Sequence, residues 1–218
     1  YINYTAFMER VIQLVGSPDD LLICGFSAGG FGTSLLASDI IENYYSDVAN
    51  TTVLVDSSLL LYDDWQEVAK TIWKAPEQIT ARLTGDNLVL DSLTALSEAH
   101  PDVKILFDCS IRDGELARFQ HYLNGGDNTV SAADGDVFEA NLKEMVEGIQ
   151  ENFPNFAIYI WDGLKYQGKD EHLTLHTIIL IPNVYKETFG NDKTIAEWIM
   201  DAVNGTMKNY GLDLIFEK

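Results

Sequence analysis

Residues 21–33 read LLICGFSAGGFGT. Leu21 to Cys24 form an apolar run that predicts a buried strand. Gly25-Phe26-Ser27-Ala28-Gly29 follows as G-x-S-x-G, and a helical stretch over 30–45 comes next. Strand, G-x-S-x-G and helix in that order are the setting of a nucleophile elbow. The chain reverses so sharply there that Ser27 is expected in a strained backbone conformation with its hydroxyl above the sheet. Side chains at 25 and 29 are expected to collide with neighbouring backbone. A helix that starts behind Ser27 aims N–H groups at the same point, which makes the Ala28 N–H a candidate oxyanion donor. An unreactive tight turn is one alternative. A phosphate-cradling loop is another, but the stretch lacks a Walker lysine and its glycines are out of G-x-G-x-x-G register.

On both sides of the elbow the pattern alternates. Residues 4–15 place Phe7, Val11, Ile12, Leu14 and Val15 at largely helical spacing, closed by Gly16-Ser17-Pro18. Further short apolar runs predict strands over 52–55, 103–107, 156–161 and 177–181, with helical segments between them. A last helix is predicted over about 192–207, striped by Ile195, Trp198, Ile199 and Val203. Strands apolar on both faces and separated by helices argue an α/β fold, a parallel sheet with helices on both faces. The segment 62–100, with Tyr62, Trp65 and Trp73, exceeds what one crossover helix requires. It is either extra helices packed on the sheet or a cap insertion over a site at the strand ends. The stretch 124–136 lacks calcium-loop spacing and predicts a solvated loop.

Composition sets the outer limits. With 46% hydrophobic residues the 218-residue chain can bury a full core as a single domain, 1–218. Fourteen basic residues against 34 acidic ones give a net charge of −20. A surface so acidic repels phosphate backbones, so nucleic acid and anionic membrane are poor partners. Cys24 and Cys109 each end an apolar run and read as reduced, buried small hydrophobes.

A serine nucleophile needs a base, and the chain offers His100, His121, His172 and His176. In elbow topology the order is serine, acid, histidine, each at the C-terminal end of a strand. His100 precedes its strand, His121 lies on a helix, and His172 reads as exposed. His176, beside the run at 177–181, is the candidate base. Candidate acids are Asp56, Asp108, Asp113 and Asp162. Asp56 in VDSS could equally cap a turn, and Asp113 could be only the N-cap of the helix over 115–122. Chemistry alone leaves Asp108 and Asp113 open.

Taken together, GFSAGGFGT around Ser27, VLVDSS at 53–58, ILFDCSIRDGELARFQ at 105–120, LHTIIL around His176 and the helix AEWIMDAVNG resemble the pectin acetylesterase family, which includes the Notum-type carboxylesterases. The resemblance spans about residues 20–205. It implies an α/β-hydrolase-like fold, no cofactor, and a Ser-Asp-His triad falling on Ser27, Asp113 and His176, with Ala28 in the oxyanion hole. The implied activity is that of a serine carboxylesterase removing O-acyl groups, acetyl first among them, from carbohydrate or a small ester. Another α/β-hydrolase, such as a lipase or peptidase, or a non-catalytic glycan-binding relative are the alternatives. The cysteine-rich pattern of plant and animal members is absent, which points to the bacterial branch and a secreted or cell-surface location. Family members carry an upstream strand and glycine-rich loop with further oxyanion donors. Only 26 residues precede Ser27, so the chain is expected to lack N-terminal strands and to be the C-terminal part of a longer one.

Overall fold

The computed structural model describes residues 1–168 and 172–217. Four strands form one parallel sheet in the order of the sequence: β1 (Asp20–Phe26), β2 (Asn50–Asp56), β3 (Lys104–Ser110) and β4 (Phe156–Trp161). The registers are continuous. Asp56 lies opposite Phe26 on one side and Asp108 on the other, and Ser110 lies opposite Trp161. All four C-terminal ends therefore reach one rim, where ligands of open α/β sheets bind.

Side chains alternate between the two faces of a strand, and here each parity meets its own core. One face presents Ile23, Val53, Val55, Ile105, Phe107, Ile158 and Ile160. It packs against α2 (Ala28–Tyr44), α5 (Leu88–Ala99), α6 (Gly114–Leu123), α7 (Ala132–Asn152) and α9 (Asp213–Phe216). The other face presents Leu54, Leu106, Ala157, Tyr159 and Trp161 to Ile195, Trp198 and Ala202 of α8 (Ile195–Val203) and to Val184 of the 3-10 turn Pro182–Tyr185. The α/β architecture with helices on both faces is thus present. α1 (Ile2–Val15) is tied to α2 through the Tyr1 and Tyr4 hydroxyls, which donate to opposite oxygens of Asp39.

The segment 62–100 divides its labour. α3 (Trp65–Thr71) and α4 (Glu77–Thr80) sit toward the rim, and Trp65 rests 5.6–6.2 Å by ring centroid from Tyr62, Phe31 and Trp73. α5 is the crossover helix, with Leu88, Val89, Leu93 and Leu96 fully buried.

Four expectations need correction. The run at 177–181 is no strand but a turn leading into the 3-10 helix. Ile178 is fully buried in the second core with Ile179 and Ile181 packed against it, whereas Leu180 is 61% exposed. Cys24 is free, as is Cys109, but it is exposed. It shares its face of the edge strand β1 with Leu22, 43% exposed, and α8 packs on β2 and β3 instead. The loop at 124–136 ends early, because Ser131 and Asp134 form a capping box that starts α7. The last helix is also shorter than 192–207: the Thr194–Glu197 capping box sets its start.

α8 packs on the second face beside Ile178 and Val184, and its anchor is Trp198, 1% exposed, whose indole N–H donates to the Lys208 carbonyl at 2.9 Å. Trp198→Ala should therefore cost about 3–5 kcal/mol of folding stability. Urea denaturation followed by far-UV circular dichroism measures this, with a loss below 1 kcal/mol counting against α8 as an essential layer.

Candidate active site

Ser27 stands between β1 and α2 with φ 52° and ψ −127°, left-handed backbone on a residue with a side chain. Such conformations persist only where surroundings over-determine them, and here they do. The Ser27 N–H donates to the Asp56 carbonyl at 2.9 Å, and the Ser27 carbonyl accepts from Gly30 and Phe31 N–H and from the Ser58 hydroxyl. The glycine requirement differs from expectation at one position. A Cβ on Gly25 would lie 2.2 Å from the Gly29 carbonyl oxygen, and one on Gly30 would lie 2.0 Å from the Ser58 hydroxyl. At Gly29 it would meet nothing within 4 Å. Position 29 faces outward, and the extra glycine at 30 is the one that admits the β2 turn. Ala28 is the exposed first residue of α2, so its N–H has no intrahelical acceptor.

Asp113 ends the turn after β3 and is fully buried. One carboxylate oxygen caps α6, accepting from the Glu115 and Leu116 N–H groups at 3.0 and 2.9 Å. The other accepts from His176 Nδ1 at 2.7 Å. N-cap and partner to the histidine are thus one residue, two roles that the sequence presents as alternatives. The loops carrying the two residues are stitched together by backbone. Thr174 N–H donates to the Arg112 carbonyl, Gly114 N–H to the Thr174 carbonyl, and the Ser110 hydroxyl to the Leu175 carbonyl.

His176 is largely buried, its side chain 16% exposed. Burial alone would lower its pKa, but the hydrogen bond and charge of Asp113, with Asp56 and Glu115 behind them, raise it above the ordinary 6.5. Burial pushes the Asp113 carboxyl up, against the pull of His176 and the two capping N–H groups. With Nδ1 engaged, Nε2 is the free ring atom. It is out of solvent and holds no hydrogen bond. No hydrogen bond joins it to the Ser27 hydroxyl.

The remaining candidates lie elsewhere. His100 pairs with Glu42, His121 with Asp134, and His172 is exposed. Asp162 accepts from its neighbour Gly163 in a local turn. Asp108 is fully buried, neither of its oxygens holds a hydrogen bond, and it does not partner His176. Asp56 accepts from the Ile178 and Ile179 N–H groups, both at 3.1 Å, and from Ser57. Sequence reasoning missed that role, and missed Gln120, whose amide makes a two-way bond with the backbone of Leu61. The available signal was a row of polar residues, Asp56-Ser57-Ser58, closing an otherwise apolar strand.

Beside Ser27 and Ala28 opens a cleft of about 450 Å³ walled by Phe31, Leu60, Trp65, Trp73, Leu116 and Phe119 among others. Among the described residues no group of His, Cys, Asp and Glu is arranged to hold a metal ion, and no helix is long and apolar enough to cross a membrane. A scan against protein-family models finds no match, and searches of curated proteins and of solved structures find none either.

The His176–Asp113 contact is open to direct measurement. An NMR pH titration should place the His176 ring above 6.5, and Asp113→Asn should lower it, because burial then acts with less opposition. An unchanged midpoint in the variant would show that the pair is not coupled in solution.

Proposed function

We propose that the protein is a serine carboxylesterase, with Ser27 as nucleophile, His176 as general base and Asp113 as its orienting acid. The observation that carries this reading is the coincidence of a strained serine at a strand-to-helix turn with a buried Asp113–His176 pair whose Nε2 is free, all at one rim of a parallel sheet. Nε2 takes the Ser27 proton as Oγ attacks the ester carbonyl. The alkoxide faces the Ala28 N–H, and the imidazolium returns the proton to the departing alcohol. Water, activated by the same Nε2, then hydrolyses the acyl-enzyme. Asp113 fixes the tautomer by accepting from Nδ1 and stabilises the cation that forms.

An O-acylated carbohydrate is the leading substrate class. Trp73 and Phe119, 41% and 43% exposed, offer ring faces at the cleft on which a sugar could stack. A charge of −20 disfavours polyanionic glycans and suits a neutral or esterified one. The same cleft supports a second reading within the chemistry. Its walls are almost wholly apolar and its volume is that of a ligand site rather than of a single acetyl group. That favours a longer or aromatic acyl chain, as a lipase-type hydrolase would take.

A fluorophosphonate probe should label Ser27, and Ser27→Ala should abolish both labelling and hydrolysis of p-nitrophenyl esters. The precedent for a lost triad serine is about 10⁶ in turnover. A variant keeping a tenth of the native rate would remove Ser27 as the nucleophile, whereas native Ser27 left unlabelled while glycan binding persists would turn the reading toward a binding protein. Across esters of increasing chain length, a maximum at acetyl supports the carbohydrate deacetylase. A maximum at a longer chain, moved by Trp73→Ala, supports the second reading.

A further inference from the structure

Beneath His176 lies a group of buried polar residues that the proposed chemistry does not use. Asp56, Ser57, Ser58 and Asp108 are all fully buried. Asp56 and Asp108 are register partners on β2 and β3, and their side chains share the face opposite α2. The chain after His176 runs directly over them. Thr177 N–H donates to the Ser57 hydroxyl at 3.2 Å, and that hydroxyl donates on to Asp56 Oδ1 at 2.7 Å. Ile178 and Ile179 N–H both donate to Asp56 Oδ2. Three successive N–H groups thus converge on one carboxylate and its hydroxyl relay. They hold Thr177 at φ 60°, a conformation that a β-branched residue adopts only under constraint.

We infer that Asp56 is a positioning residue for His176, holding the backbone that follows the base, with Asp108 as its neutral carboxylic-acid partner. The assignment of charge follows from the donors. Asp56 receives one hydroxyl and two N–H groups, whereas Asp108 holds no hydrogen bond of ordinary geometry and has beside it only the Trp161 indole N–H, itself unpartnered. Two carboxylates on one site do not both ionise in a buried setting, so the proton resides on the one with fewer donors. Burial pushes both carboxyls up, Asp56 against the pull of its three donors and Asp108 farther, with the neighbouring charge of Asp56 adding to the shift. Asp56 also belongs to the charges that raise the basicity of His176. A device that fixes the base to within a fraction of an ångström controls turnover more than binding.

The inference rests on the esterase reading for its kinetic arm but not for its spectroscopic one. In the full 218-residue chain, Asp56→Asn keeps one acceptor and turns an amide NH₂ toward existing donors. It should lower kcat about 10–100-fold with KM within about twofold, and slow fluorophosphonate labelling in parallel. The His176 Nδ1 proton resonance should broaden or vanish, because the ring is no longer held against Asp113. Asp108→Asn, an amide in place of a neutral acid, should cost no more than about threefold. Ser57→Ala removes only the Thr177 relay and should cost several-fold; it carries the test should Asp56→Asn not fold. A folded Asp56→Asn or Ser57→Ala with native kcat and an unchanged resonance would overturn the inference, as would Asp108→Asn falling as far as Asp56→Asn. If native Ser27 neither labels nor turns over esters, the esterase reading fails separately. The resonance in Asp56→Asn then decides alone, its loss supporting the positioning role and its persistence refuting it.

Discussion

The turn Asp56-Ser57-Ser58 at the end of β2 is the constraint on which the rim of this sheet depends. Its backbone and side chains reach two segments about 150 residues apart. Toward the elbow, the Asp56 carbonyl accepts from Ser27 N–H and the Ser58 hydroxyl donates to the Ser27 carbonyl. Toward the histidine, Ser57 and the Asp56 carboxylate accept from residues 177–179. Ser27, Ser57 and Thr177, three of the seven described non-glycine residues with positive φ, meet at this hydrogen-bonded turn. The Ser57 N–H in turn donates to the Asp108 carbonyl, which ties the turn to β3. No single segment could hold such a geometry alone.

Three acids with no exposed surface, Asp56, Asp108 and Asp113, lie side by side along this rim in a protein that already carries a charge of −20. Burying a charge is costly unless it is hydrogen-bonded. Asp113 is met by two capping N–H groups and the histidine, and Asp56 by two N–H groups and a hydroxyl. Backbone donors at element ends thus do here what lysine or arginine would do elsewhere. The cationic form of His176 is then stabilised by carboxylates on more than one side, with Glu115 contributing from α6.

The parallel strands were readable because their residues are apolar at both parities, which only a doubly covered sheet demands. The strand-to-helix turn at Ser27 was readable because a side chain at position 25 has no room against the Gly29 backbone. What escaped is instructive. The run Thr177-Ile178-Ile179-Leu180-Ile181 has the composition of a strand, yet the N–H groups of residues 177–179 are taken by Ser57 and Asp56 before any neighbouring strand could claim them. A side-chain acceptor 120 residues away leaves no local pattern. Cys24 looked buried because its neighbours are apolar, but composition does not say which strand is at the edge of the sheet. Gly29 and Gly30 are indistinguishable in sequence; only the position of Ser58 separates the glycine that is needed from the one that is not. The choice between Asp108 and Asp113 was open for a similar reason: two acids five residues apart differ only in which loop folds back to meet the histidine.

A histidine at the end of a strand is held by the ladder of its neighbours, whose amides and carbonyls are neutral. Here the residues after His176 are held by a carboxylate instead, and the residues before it by the Arg112–Gly114 backbone. The two arrangements differ electrostatically even if they place the ring equally well. A neutral ladder fixes position and leaves basicity alone, whereas a buried carboxylate close to the imidazole does both at once. Position and proton affinity of His176 are therefore coupled through Asp56. A change that neutralises that carboxylate loosens the loop and weakens the base together. Asp113 acts in the same sense from the other side of the ring, since its carboxylate both orients Nδ1 and favours the imidazolium. The histidine is set between two acids that play parallel roles, one on its side chain and one on its backbone.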